Sequence, residues 1–228
     1  MKLLLTNDDG IDAQGLATLE AAVDGEVYIA APHVQRSECG HQVTTRDEIR
    51  VERRGERAAA IHGTPADCVR LALRGRLFGE IEFDWVLSGV NEGGNLGVDI
   101  FISGTVAAAR EAAILGRRAI AFSHYRKANM RFDWALARDR VERVFREISP
   151  LPSEERGFWN VNLPHSDKPA GETDHVHCAP CRNPLPVLYR VEEDRFQYSG
   201  VYRDRPGEAE SDVIHCFGGA VAISRIAL

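Results

Sequence analysis

Along this chain of 228 residues, short apolar runs alternate with stretches in which apolar residues recur at helical spacing. Residues 2–6 form an apolar run ending in Asn7-Asp8-Asp9-Gly10, which predicts a strand running into a turn. From Gly15 to Val23, Leu16, Leu19, Ala22 and Val23 fall on one helical face. Val27–Ala31 is a second apolar strand, stopped by Pro32. This β-α-β opening predicts a parallel sheet with a right-handed crossover. A polar loop at 32–41 leads to two β-like stretches, at about 42–53 and 57–62. Thr64-Pro65-Ala66-Asp67 then predicts a helix start that carries on through Leu73: Thr caps, Pro takes the first helical position, and Asp sits at the positive end.

Trp85–Ser88 predicts a buried strand, and the four glycines between Gly89 and Gly97 argue against regular structure after it. A helix is expected from Thr105 to Leu115, closed by Gly116, then a strand at Ala119–Ser123 and an amphipathic helix at 133–148. Past Pro150-Leu151-Pro152 the composition shifts. Phe158–Leu163 reads as a strand, and 164–186, with five prolines, as irregular or edge-like structure. Val187–Val191 and Gln197–Tyr202 read as a β-hairpin across Glu192-Glu193-Asp194-Arg195, and Ala220–Ile226 as a closing strand. The expectation is a single α/β domain over 1–228, with its core at about 1–150 and a strand-and-hairpin region at about 151–228.

Composition narrows the function. At 44% hydrophobic and 27% charged, the chain is too apolar for a disordered one. With 28 Lys and Arg against 34 Asp and Glu, its net charge of −6 argues against neutralising nucleic-acid phosphates, while leaving room for one small phosphorylated ligand. No apolar run approaches the ~20 residues needed to span a bilayer. The first carboxylates come too early for a signal-peptide core. Five scattered cysteines fit a reducing compartment, so the expected location is the cytoplasm.

The strongest chemical feature is Asp8-Asp9 at the carboxyl end of the first strand, where ligands of open α/β sheets bind. Adjacent carboxylates repel each other and lose solvation unless a cation joins them, and hard oxygen donors suit Mg²⁺, Mn²⁺ or Ca²⁺. An ordinary turn with one capping and one solvated Asp accounts for the same string. The loop holding Arg36, Ser37 and His41 follows the second strand, and Asn91 follows the strand at 85–88. Each alone reads as a polar loop; together they deliver Asp8, Asp9, Ser37 and Asn91 to one sheet edge. Ser103-Gly104-Thr105 opens the Ala-rich helix, either as a plain cap or as an anion site built on unpaired amides. His175, His177, Cys178 and Cys181 make a weak case for zinc, since no second cysteine pair accompanies them.

These motifs occur in a fixed order: Thr6-Asn7-Asp8-Asp9-Gly10, Pro32 with Arg36-Ser37, Gly63-Thr64-Pro65-Ala66-Asp67, Ser88-Gly89-Val90-Asn91 with Gly93, Asn95 and Gly97, and Ser103-Gly104-Thr105-Val106. In this the chain resembles the survival protein SurE family of 5′/3′-nucleotidases, densely over residues 1–125 and sparsely beyond. The resemblance implies a Rossmann-like three-layer α/β fold with a mostly parallel sheet and a protruding C-terminal β-hairpin. It also implies hydrolysis of nucleoside monophosphates with one divalent cation, Mg²⁺ or Mn²⁺, per subunit. The metal ligands it implies are Asp8, Asp9, Ser37 and Asn91, the two carboxylates being catalytic. Asn7, Asn95, Ser103, Gly104 and Thr105 would face the phosphate, and the assembly would be a homodimer or homotetramer.

Two residues depart from the family pattern. Glu92, beside Asn91, would repel a phosphate dianion unless it points away, and Phe101 stands where a polar aromatic residue or His is common. The chain ends just after its last strand, so the 187–203 hairpin is expected to carry any oligomer contact. His41 is a candidate proton donor. Glu92 motivates an alternative, a metal-dependent nucleotide or phosphate sensor without turnover. A glycosyltransferase-like use of the acidic pair is disfavoured because no spaced Asp-x-Asp occurs.

Overall fold

The computed structural model describes residues 1–36, 39–127, 130–152 and 156–228. Nine strands form one sheet: β1 (Lys2–Thr6), β2 (Glu26–Pro32), β3 (Val51–Arg53), β4 (Ala58–Ile61), β5 (Trp85–Glu92), β6 (Arg118–His124), β7 (Gly157–Leu163), β8 (His175–His177) and, last in the chain, β11 (Val221–Ala227). Between them β9 (Tyr189–Glu192) and β10 (Arg195–Tyr198) pair only with each other. The helices are α1 (Gln14–Ala21), α2 (Pro65–Leu73), α3 (Gly104–Ile114), α4 (Trp134–Ile148) and α5 (Asp212–Phe217).

The sheet order is β3-β4-β2-β1-β5-β6-β7-β11-β8. Pairing is parallel from β4 through β7, and antiparallel for β3 on β4 and β11 on β7. The chain builds outward from β1 through β2 to β4, then returns to the other side of β1 and builds outward again from β5. That reversal makes the gap between the carboxyl ends of β1 and β5 a topological switch point, where doubly wound sheets bind ligands.

Each face of the sheet has its own core. Leu3, Leu5, Leu16, Leu19, Val141, Val144 and Ile148 pack on one side with α1 and α4. Leu4, Val69, Ala72, Val106, Ala109 and Phe158 pack on the other with α2 and α3. Alternation of Leu3, Leu4 and Leu5 between the two cores is the period-2 signature of a strand buried on both faces.

Local chemistry explains most boundaries. Thr64 caps α2 in a reciprocal box with Asp67 and Pro65 takes the first turn, as the sequence predicts. Asp133 caps α4 by accepting from the Leu136 amide. Two expectations are corrected. The stretch from Gly89 to Glu92 continues β5, with a register shift between Ser88 and Asn91 absorbed where Gly89 adopts φ +134°. Within 42–53 only Val51–Arg53 is a strand; residues 42–44 instead tie to α2, Thr44 donating twice to Asp67 and Gln42 accepting from the Thr64 hydroxyl. The Pro-rich region carries β8 at the edge of the sheet, and the hairpin turns at Glu193-Asp194, within the expected 192–195.

Arg140 is the one fully buried guanidinium among the described residues of α4. It donates to the carbonyls of Pro164 (2.8 Å), Ser166 (3.0 Å) and Lys168 (2.7 Å), so the irregular chain after β7 is bound to the helix. Replacing Arg140 by Met keeps the volume but orphans those carbonyls. The expected cost is about 2–4 kcal/mol, seen as a fall in melting temperature of roughly 5–12 °C in a thermal denaturation scan.

Candidate active site at the switch point

β1 ends at Thr6, and the next four residues make a turn locked by one side chain. Asn7 donates from Nδ2 to the Gly10 carbonyl (2.8 Å) and accepts from the Gly10 amide at Oδ1 (3.2 Å). Gly10 takes φ +105°, which an L side chain rarely adopts. Both polar atoms of Asn7 are thus spent on presenting Asp8 and Asp9. Asp8 is 5% exposed and Asp9 half-buried.

The Asp8 carboxylate lies against the first turn of α3. Thr105 gives it a short hydroxyl hydrogen bond and a backbone amide. A β-carbon built on Gly104 would stand 2.9 Å from the Asp8 Cβ and 3.0 Å from its Oδ2, so the approach requires glycine. Ser103 caps α3 by accepting from the Val106 amide (3.1 Å). Thr105 thus turns to Asp8 and the Val106 amide to Ser103. Ser103 and Thr105 therefore serve the helix and the carboxylate with their side chains.

On the β5 side, the Glu92 amide points at Asp9 Oδ2 (3.4 Å), placing Asn91 beside the doublet. Asn91 donates from Nδ2 to the Gly93 carbonyl (2.9 Å), which fixes its amide and makes Oδ1 the available donor to a cation. Ser37 lies outside the described residues; Arg36 and Cys39 are described. The Arg36 amide donates to the Asp8 carbonyl (2.7 Å), and Cys39 Sγ lies 3.2 Å from the β-carbon position of Gly104. Asn95 sits deeper: its Nδ2 donates to Ser123 Oγ (2.7 Å), its amide to Asn162 Oδ1 (2.8 Å), and its carbonyl accepts from both Asn160 and Asn162.

The electrostatics of the doublet suit a cation. Burial pushes the Asp8 pKa up to about 6; Thr105 pulls it back and the neighbouring Asp9 adds to the rise. Asp9 is also raised, by burial first and by Glu92, against the pull of the Glu92 amide. Among the described residues, no lysine or arginine forms an ion pair with Asp8, and the two carboxylates are shifted chiefly by burial, the Asp9 charge, Thr105 and Glu92. Two desolvated carboxylates and an amide oxygen fit a hard divalent ion. Glu92 is met by Arg126 at 2.9 Å, so its charge is shared within an ion pair.

His41 turns to α3 instead of this cluster. Its Nε2 bonds the buried Glu111 (2.7 Å), which also holds Arg70 Nε (2.6 Å). His175 and His177 both bond Glu147 rather than joining the cysteines, and no group of three His, Cys, Asp or Glu among the described residues is placed to hold a metal. Arg126 and Trp134, beside Asp9 across a shared cavity, escaped the sequence reading, because nothing local ties residues 126 and 134 to residue 9.

The survival protein SurE family model matches residues 3–183. This chain belongs to the survival protein SurE family. It is 49% identical over 227 residues to a Nostoc sp. protein named "Putative 5′-nucleotidase", covering 99% of each chain. It is also 40% identical over 169 residues to the 5′-nucleotidase SurE of Rhodospirillum rubrum, covering 72% of this chain and 64% of that one. The crystal structure of the SurE protein from Aquifex aeolicus superposes with a TM-score of 0.84 at 28% identity, covering 100% of this chain and 93% of that one.

A carboxyl group whose pKa is higher folded than unfolded favours the native state less as it ionises. For Asp8 that penalty grows from about pH 4 and is complete above about pH 6, at roughly 3 kcal/mol. Asp8→Asn removes the buried charge. In chelator at pH 7.5 the variant is therefore expected to be more stable than the parent by about 2–3 kcal/mol in urea melts. The gap should close by pH 4, and Mn²⁺ should raise the parent's melting temperature but not the variant's.

Proposed function

We propose that this chain is a metal-dependent phosphomonoesterase that hydrolyses nucleoside 5′- or 3′-monophosphates to nucleoside and phosphate. The observation that carries the reading is the Asp8-Asp9 doublet, desolvated at the switch point beside Asn91 and the start of α3. Membership of a family whose relatives are named 5′-nucleotidase supports it.

Asp8, Asp9 and Asn91, with Ser37 from the loop after β2, hold one divalent cation, Mg²⁺ or Mn²⁺. Bound there, it polarises a phosphoryl oxygen and acidifies water. The Gly104 amide, at the positive end of an eleven-residue helix, takes a second phosphoryl oxygen. Ser103 and Thr105 keep that turn in place, Asn7 holds the doublet, and Asn95 stiffens the phosphate-side loop. Asp9, the less buried carboxylate, accepts the proton of the attacking water; the phosphorus–oxygen ester bond breaks and the leaving hydroxyl is protonated from solvent.

The charge of Glu92 is the ground for a non-catalytic sensor, and its pairing with Arg126 supports turnover over that reading. No helix among the described residues is long and apolar enough to cross a membrane; the reading places the enzyme in the cytoplasm. Assembly through the hairpin into a homodimer or homotetramer is supported by its apolar surface: Val187, Leu188, Tyr189, Val191, Phe196 and Tyr198 are all at least half exposed.

Phosphate release from nucleoside monophosphates should require Mn²⁺ or Mg²⁺ and disappear in chelator. Asp9→Asn should lower kcat at least 100-fold, whereas chelator-resistant turnover would overturn the reading. Phe196→Asp together with Val191→Asp should reduce the molar mass measured by sedimentation.

A further inference from the structure

Beside Asp9 the surface opens into a cavity of about 440 Å³, lined by Asp9, Gln14, Gln35, Glu92, Arg126 and Trp134 among others. That volume lies in the range of small-molecule sites. The larger groove, about 870 Å³, runs between Val98–Phe101 and residues 179–182 and 208–211, and is lined by none of the proposed cation or phosphate groups. The smaller cavity is the one continuous with the chemistry.

Its lining is chemically mixed in a particular way. Trp134 opens α4, half-buried, and its indole stacks on Phe132 with ring centroids 5.1 Å apart and planes 15° from parallel. Phe132 stacks in turn on His165 at 5.2 Å and 15°, so the indole belongs to a three-ring ladder that sets its plane. Arg126 lies 5.9 Å from the Phe132 ring centre while bonding Glu92 at 2.9 Å, so the ladder and the ion pair support each other. Gln14 and Gln35 add amide side chains. An aromatic face, two amides and a carboxylate beside a phosphoryl site are the groups that a flat heterocycle on a hydroxylated sugar would engage.

We propose that this cavity receives the nucleoside part of the substrate, with the base against the Trp134 indole and the ribose hydroxyls donating to Glu92. The inference rests on the nucleotidase reading and deepens it by naming what separates a nucleotide from other phosphomonoesters. Glu92, the departure from the family pattern, becomes a sugar ligand aimed by Arg126.

The test is hydrolysis of adenosine monophosphate and of ribose 5-phosphate with Mn²⁺, in the parent, Trp134→Leu and Gln14→Ala. Leucine keeps an apolar side chain at the start of α4, and Gln14 is an exposed helix residue, so one variant reports if the other misfolds. In Trp134→Leu the ratio of kcat/KM for the nucleotide over the sugar phosphate should fall about tenfold, chiefly through KM, as loss of one base–aromatic stack implies. Adenosine should inhibit ribose 5-phosphate hydrolysis competitively in the parent, about tenfold more weakly in Trp134→Leu and measurably more weakly in Gln14→Ala. An unchanged ratio with undiminished adenosine inhibition in both variants overturns the proposal. A parent that hydrolyses neither substrate overturns the nucleotidase reading instead, and calorimetry with adenosine then still tests the cavity.

Discussion

The structure depends on burying one carboxylate where, among the described residues, it has donors but no ion-pair partner. Asp8 is kept from water by α3, yet what it receives there is the Thr105 hydroxyl and amide and the positive end of a helix dipole. Those neutral donors offset part of the desolvation cost, and the remainder shows as a pKa near 6. A protein selected for stability alone would place an arginine or an amide at this point. On the proposed reading, the retained imbalance is what a cation would relieve.

Everything around Asp8 serves that placement. The doubly wound order brings β1 and β5 side by side with their carboxyl ends open. Asn7 and Gly10 fix the turn after β1, and Gly104 lets α3 approach to van der Waals contact. The C-terminal region contributes at one remove. Arg205 bonds Asp99 at 2.6 Å, and Asp212 accepts from the Gly97 amide at 2.7 Å, so the chain past residue 200 braces the segment that leads into α3.

Much of this was legible in the sequence. The first strand at residues 2–6, the capped start of α2, the amphipathic helix α4 and the doublet at the strand end all follow from local patterns. Short-range chemistry misleads where long-range pairing decides. Gly89–Asn91 looks like loop, but β6 supplies a ladder that holds it as strand. Residues 42–50 look β-like, but Asp67 offers Thr44 a better set of hydrogen bonds than an edge strand would. Ser103 and Thr105 announce a helix start correctly, yet only the packing of α3 on β1 shows that the threonine faces a carboxylate. The Trp134 side of the site joins residues more than a hundred positions apart, and no periodicity encodes that.

The asparagines around residue 95 carry a further consequence. A segment with four glycines in nine residues would ordinarily flex on the nanosecond scale, yet Asn160 and Asn162 from β7 both grip the Asn95 carbonyl, and Asn162 holds its amide as well. Motion of this segment is thereby coupled to the opening of a central strand, which ranks among the slowest events in a folded domain. Glycine here supplies compactness, and the rigidity is borrowed from a neighbour seventy residues downstream.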